Sequence, residues 1–343
     1  MTSDFPYKMG RASVALDMPD YFVWDSAVIE VNGKYHLFCS RWPEKLGFGC
    51  NWVFNSEIVQ CVADRPEGPY EFKRVVLPRR GREYFDGMNT HNTCIRRHNG
   101  KFYLYYMGTT YGGPIPTENS ADIGDRYLET WNRKRIGLSV ADDIFGVFVR
   151  RNTPLLSPRD PSHWDCTITT NPSVVIKPDG TTYMIYKSRS YCNAPLKLGI
   201  AVAPSPEGEF TRLCEDPILN FEDEDMHVED PFIWFDSDRE KFCLIAKDDV
   251  KRGSYGITGE WGAGFYAESD DCREFTIAPN PKVYSRTLEF ASGETFTLGN
   301  LERPSLLFNE KGQPTHIFCA AGFGRPYDFT QRTQVVCIPL EPR

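Results

Sequence analysis

Apolar and polar positions along this chain fall into short runs rather than helical stripes. Segments such as Lys34-Tyr35-His36-Leu37-Phe38-Cys39, Lys101-Phe102-Tyr103-Leu104-Tyr105-Tyr106 and Thr182-Tyr183-Met184-Ile185-Tyr186 are rich in β-branched and aromatic residues. Each follows a hairpin turn, at Asn32-Gly33, Asn99-Gly100 or Asp179-Gly180. No segment sustains a 3.6-residue apolar period, so the pattern predicts strands throughout. The most informative run is His227-Val228-Glu229-Asp230-Pro231-Phe232-Ile233-Trp234, an apolar strand with two acids and a proline at its mouth. It has four partial echoes, which start at Trp24-Asp25-Ser26, His91-Asn92-Thr93, Thr170-Asn171-Pro172 and Glu302-Arg303-Pro304. Each opens on a polar or charged pair, enters an apolar run, turns, and continues into an aromatic-rich second strand. Five such units at a spacing of roughly 60 to 80 residues predict a repeat fold.

Taken in order, each unit supplies further strands. The first adds Glu57 to Ala63 and Glu71 to Leu77, the second Ile136 to Ala141 and Phe148 to Arg150. The third adds Leu198 to Ala203 and a short strand at Phe210; the fourth adds Gly264 to Ala267 and Phe275 to Ile277. The fifth, with Thr315 to Ala320 and Gln334 to Ile338, stops one strand short, while a lone strand at residues 11 to 17 precedes the first unit. An unfinished blade leaves a sheet edge that must be covered, and the spare strand can cover it. The expectation is an all-β, five-bladed β-propeller of four-stranded antiparallel blades, its last blade closed by an N-terminal strand. Residues 1–343 then form one domain.

Composition agrees, with 14% aromatic residues, 25 prolines and 27 glycines among short strands and tight turns. The net charge of −8 gives no footprint for nucleic acid or an anionic membrane. Arg79-Arg80 and Arg96-Arg97 are read as solvated turn residues. Eleven cysteines occur without a metal-ligand spacing, and Cys61, Cys243, Cys319 and Cys337 lie inside apolar runs. They are expected to be reduced core thiols of a cytoplasmic protein, or of an exported one if a leader was trimmed. No run approaches the length of a membrane span. No cofactor is implied; a structural calcium stays open, as does the oligomeric state.

In a propeller the first strand of every blade lines the axis. The five opening pairs therefore converge on one funnel: Trp24 and Asp25, His91 and Asn92, Thr170 and Asn171, Glu229 and Asp230, Glu302 and Arg303. Massed carboxylates are costly, and that cost points to function. This repeat plan, with the signatures at Asp25, Asn171-Pro172-Ser173, Glu229-Asp230-Pro231 and Glu302-Arg303-Pro304, resembles the five-bladed propeller glycoside hydrolases. That superfamily includes family 43 arabinanases and xylosidases, family 32 fructan hydrolases, family 117 anhydrogalactosidases and family 130 mannoside phosphorylases. The resemblance implies that Asp25 is the base or nucleophile and Glu229 the acid. Asn171 stands where family 43 has a pKa-modulating aspartate, so Asp230, Asp165 or Glu302 would take that role. The Trp-Met-Asn-Asp-Pro opening of family 32 is absent, and Glu294 stands near where family 117 has a histidine.

The chemistry required is one protonated carboxyl at the leaving oxygen and one ionised carboxylate across the ring. Asp25 and Glu229 open non-adjacent blades, which suits an inverting course. Trp24, Trp52 and Tyr111 are candidate sugar platforms, and the long connections at Cys50-Asn51-Trp52 and from Tyr111 to Trp131 are expected to wall the pocket for exo action. Asn92 and Asn171 complete the rim. Arg303 can anchor a carboxylate or hydroxyls; His91 and His227 can be sugar ligands, an alternative acid or, without fixed spacing, weak metal candidates. Two other readings stay open: a family 130-like phosphorylase, for which Arg303 is the one cation at the strand openings, and a silent sugar-binding propeller.

Overall fold

The computed structural model describes residues 3–118, 120, 123–191, 194–219, 221, 228–249, 256–326 and 331–343. Four blades are four-stranded antiparallel sheets. Blade one comprises Tyr21–Val31, Lys34–Pro43, Glu57–Ala63 and Glu71–Leu77, and blade two Asn89–His98, Lys101–Thr109, Arg135–Ala141 and Val149–Arg150. Blade three comprises Thr170–Ile176, Thr182–Ser188, Lys197–Ala203 and Thr211–Arg212, and blade four Val228–Asp236, Lys241–Asp248, Gly264–Ser269 and Thr276–Tyr284. Blade five has Asn300–Phe308, Pro314–Gly322 and Thr333–Pro342 from the C-terminal part of the chain. Its outer edge is covered by two N-terminal pieces, as the missing strand required. Ser13 pairs with Cys337 and Leu16 with Val335, while Tyr7 to Met9 pair with Pro342 to Leu340.

Local chemistry explains the hairpins. Asn32-Gly33 and Asn99-Gly100 all have positive φ, as a two-residue turn of this twist demands. Five apolar clusters then fill the five gaps between successive blades. Ala27, Phe38 and Ile58 of blade one meet Ile95, Leu104 and Tyr106 of blade two. The gap between blades five and one takes Ala15 and Leu16 of the closing strand with Leu37, Phe318 and Val335. No blade has a core of its own, so the sheets are stable only as a ring.

Blades two and three also share a polar clasp on their outer strands. Asp86 accepts from Arg80 and from the Tyr106 hydroxyl, each at 2.5 Å, with Arg150 at 3.5 Å. Asp165 repeats it, with Arg159 at 2.6 Å, the Tyr186 hydroxyl at 2.8 Å, and Arg212. Gly137 and Gly199 make room for these tyrosines: a Cβ there would lie 2.6 and 2.4 Å from the rings. Two sequence expectations change accordingly. Arg80 is not a solvated turn residue, since it is clasped to Asp86, whereas Arg79 stays exposed while donating to the Met88 carbonyl. Arg96 likewise bonds the Val174 carbonyl and lies over Phe232, because these cations satisfy buried oxygens between blades. Asp165, weighed as a modulator of the site, is committed to its clasp instead.

A helix, Ile123–Asn132, occupies the long connection of blade two, where only a loop was expected. A further hairpin, Thr287–Glu289 with Thr295–Thr297, precedes blade five. The ten described cysteines are free thiols, and among the described residues no helix is long and apolar enough to cross a membrane.

The closing strand yields the first prediction. Removing residues 1–18 reopens the edge of blade five and the gap to blade one, so the melting temperature should fall by many degrees. An unchanged melting curve from differential scanning calorimetry would show that this strand does not close the ring.

Candidate active site

The site grows out of one backbone irregularity repeated five times. In each inner strand the register slips by one residue, between Trp24 and Ala27, His91 and Cys94, Thr170 and Ser173, Glu229 and Phe232, and Glu302 and Ser305. The extra residue of such a bulge turns the strand and re-aims its side chains. The residue after each slip begins is left-handed: Asp25 at φ 57°, Asn92 at 57°, Asn171 at 52°, Asp230 at 54° and Arg303 at 58°. Asp and Asn visit this region readily, but arginine rarely does, so Arg303 is held there by its partners.

Those five side chains form a girdle across the axis. Asn92 donates to Asp25 from its backbone at 3.1 Å and its amide at 3.0 Å, and Thr170 donates to Asn92 at 3.1 Å. Asn171 donates to Asp230 at 3.1 Å. Arg303 donates to Asp230 from its backbone at 3.2 Å and its guanidinium at 3.0 Å, and its Nε pairs with Asp25. Asp25 also accepts from Ser40 at 3.0 Å, and His91 Nε2 lies 2.8 Å away, with the other ring nitrogen 2.8 Å from Ser56 Oγ. Burial would raise the Asp25 carboxyl, but attraction to His91 and Arg303, with the bonds from His91 and Asn92, holds it far below the usual carboxylate range. Asp25, Asp230 and Arg303 border both the mouth pocket and a channel space of about 20 Å³ beneath it. The girdle is thus the pocket floor.

One residue nearer the mouth stand Trp24, His91, Thr170, Glu229 and Glu302. Two lysines on second strands, opposite the bulges, reach across to the next blade. Lys187 of blade three meets Glu229 at 2.9 Å, and Lys247 of blade four meets Glu302 at 2.8 Å and Asp249 at 3.4 Å. The two glutamates consequently differ. Burial raises Glu229, yet Lys187 outweighs it and the carboxyl is held low. Burial also raises Glu302, and here Asp230 and Glu229 reinforce it against Lys247, so this carboxyl is pushed up. One pocket therefore holds an ionised Asp25 and a glutamate pair inclined to keep a proton on Glu302.

The pocket measures about 400 Å³ and its walls are aromatic. Phe48 sits among Phe22, Trp24 and Trp42 at centroid distances of 5.3, 5.1 and 5.0 Å, and Trp52 lies 5.0 Å from His91. Tyr127 and Trp131 come from the helix of blade two. Of the residues expected at the site, Trp24, Asp25, Trp52, His91, Asn92, Asn171, Glu229, Asp230, Glu302 and Arg303 all border the pocket. His227 lies outside the described residues. Tyr111 does not reach the pocket: it packs on Phe54 at 4.9 Å and donates to the Phe54 carbonyl, buried beneath the wall. Sequence reasoning missed Trp42, Phe48, Tyr127, Trp131, Lys134, Lys187 and Lys247. For the two paired lysines a signal existed, a lysine near the end of an apolar second strand at Tyr186-Lys187 and Ala246-Lys247. No cluster of three or more His, Cys, Asp or Glu suited to a metal occurs among the described residues.

No protein-family model and no curated protein matches the chain. Solved structures do. Zg3597, a family 117 glycoside hydrolase of the marine bacterium Zobellia galactanivorans, superimposes with a TM-score of 0.63 at 17% identity, over 97% of this chain and 90% of that one. The fold is the one these glycoside hydrolases share. An α-L-arabinofuranosidase of Podospora anserina, in complex with cellotriose, gives 0.61 at 11% identity, over 97% and 98% of the two chains. A family 43 enzyme of Xanthomonas citri gives 0.60 at 15% identity, over 97% and 91%. At such identities the likeness is one of architecture.

The girdle generates the second prediction. Arg303→Met leaves Asp25 and Asp230 buried beside no guanidinium, a loss of about 3–5 kcal/mol for a broken buried pair. A carboxyl held low in the folded state stabilises fully above its unfolded value near about 4, and that stability fades as pH falls through the folded value. Losing Arg303 raises Asp25, so acid unfolding of the variant should begin at higher pH than in the parent. Urea midpoints and acid titrations indistinguishable from the parent would show that the arginine does not hold the ring.

Proposed function

We propose that this chain is a glycoside hydrolase that removes a terminal sugar with inversion, Asp25 activating water and Glu229 protonating the leaving oxygen. The observation that carries the reading is the opposed protonation of carboxyls in one aromatic-walled pocket, the arrangement that acid–base cleavage of a glycoside needs. Asp25 is fixed by donors on both oxygens and stays ionised. In the resting pocket Lys187 keeps Glu229 ionised and Glu302 holds the proton, so this assignment requires the proton to pass to Glu229 when the sugar enters. Glu302 then fills the modulating role that Asn171 cannot, since Asp165 is clasped elsewhere and Asp230 is tied to Asn171 and Arg303. The closed floor supports exo action, because a chain can enter such a pocket only by its end. A phosphorylase is less well supported, because Lys187, Lys247 and Arg303 are each matched to carboxylates instead of converging on one free anion.

A panel of aryl glycosides, with and without phosphate, tests the reading directly. Asp25→Asn should remove nearly all turnover while leaving the protein folded. Glu229→Gln should spare dinitrophenyl glycosides relative to natural ones, since their leaving group needs no proton. Glu302→Gln removes the carboxyl that keeps the proton and leaves Glu229, which Lys187 holds low, so the alkaline limb of the bell-shaped kcat/KM profile should move to lower pH. If Glu302→Gln is instead the variant that dinitrophenyl substrates rescue, the proton donor is Glu302. Proton NMR of the first-formed anomer checks inversion; a retained configuration would make Asp25 a nucleophile.

A further inference from the structure

The charges around the pocket do not all cancel. Lys187, Lys247 and Arg303 each have a carboxylate in contact. Lys134 does not: among the described residues no carboxylate lies within ion-pair reach of it, although its side chain borders the pocket and is only 2% exposed. Its ammonium lies 3.3 Å from the centroid of Trp131 and 5.3 Å from that of Trp52. The Arg189 guanidinium also covers Trp131, at 3.7 Å. Two groups this close to one centroid must take opposite faces, so the indole is sandwiched between cations. Burial, reinforced by Lys187 and Arg189, pushes the Lys134 ammonium well below the ordinary lysine range. An amine held in such a place, with no carboxylate beside it among the described residues, takes up its full charge when an anion comes alongside and is the unfilled half of a pair.

We infer that Lys134 receives an oxyanion carried by the substrate, so that the sugar entering this pocket is acidic, bearing a carboxylate or a sulfate ester. The inference rests on the glycoside hydrolase reading and names its substrate class. Position favours an anion on the sugar over free phosphate. Lys134 stands on the pocket wall beside Trp52, where a ring substituent of an entering sugar meets the ammonium. The floor, where a free phosphate would have to attack, is occupied by the ionised Asp25. With a net charge of −8 the protein has little long-range pull on an anion, so recognition must act at contact range inside the pocket.

Two measurements test this, one independent of turnover. In calorimetric titration, glucuronate, galacturonate and sulfated monosaccharides should bind at least 10-fold more tightly than glucose or galactose. Lys134→Met should lower that acidic-over-neutral ratio roughly 10- to 100-fold, the scale of a charge-assisted bond. Lys134→Arg, which keeps the charge, should retain part of it; a melting curve confirms that each variant is folded. Which acidic ligand binds separates carboxylate from sulfate. In turnover, aryl uronides should be cleaved with higher kcat/KM than the matching neutral glycosides. Equal binding of neutral and acidic sugars, acidic binding unchanged in Lys134→Met, or turnover that requires inorganic phosphate would overturn the inference. Acidic sugars that bind through Lys134 without any glycoside being cleaved would leave the anion site standing and refute the hydrolase reading alone.

Discussion

Everything in this molecule converges on the guanidinium of Arg303. It lies between Asp25 of blade one and Asp230 of blade four, where the last blade meets both of its neighbours at the axis. Without a positive charge there, two buried carboxylates would face each other and the girdle would open. With it, the ring of side chains closes, the floor of the pocket is sealed, and Asp25 is left ionised. Closure of the fold and preparation of the base are the same set of contacts. The link is reinforced beside Asp25, where the Thr333 hydroxyl of blade five both donates to and accepts from the backbone of Val23, at 2.9 Å each way.

The layer above the girdle works by a different rule. There each acid is answered by the blade before it, Lys187 reaching Glu229 and Lys247 reaching Glu302. This shingled pattern means that no glutamate's protonation belongs to one blade. It explains how two residues of the same type, one blade apart, come to hold different charge. Lys187 is nearly enough to neutralise Glu229, whereas Lys247 is divided between Glu302 and Asp249. The aromatic wall of Trp42, Phe48, Trp52 and Trp131 keeps water from levelling that difference.

Much of this was legible before any coordinates. The five opening pairs share a chemical signature because every blade needs the same bulge, and the bulge favours Asp or Asn in a left-handed conformation. The short fifth unit implied a borrowed strand because a sheet edge cannot be left open. What stayed hidden was set by contacts between blades. Lys187 and Lys247 look like strand-end charges until the neighbouring blade supplies their glutamates. Lys134 and Trp131 sit around the end of a short helix whose apolar row, Ile123, Tyr127 and Trp131, spans little more than two turns and serves the wall of a pocket. Tyr111 failed as a platform for the converse reason: an aromatic at the start of a long connection has the free choice of packing inward, and here it lies on Phe54.

The left-handed bulge residues carry a consequence for how such a pocket can change over time. A position near φ 55° admits glycine, asparagine and aspartate cheaply and resists β-branched side chains. The floor is therefore written in a small alphabet, and single exchanges between Asp and Asn leave the backbone untouched while adding or removing one negative charge. Four equivalent sites, each switchable by one such exchange, make the charge pattern around the axis nearly independent of the architecture that presents it. New specificities can be reached by re-lettering the ring, with Arg303 as the residue that limits how many of its members are acidic at once.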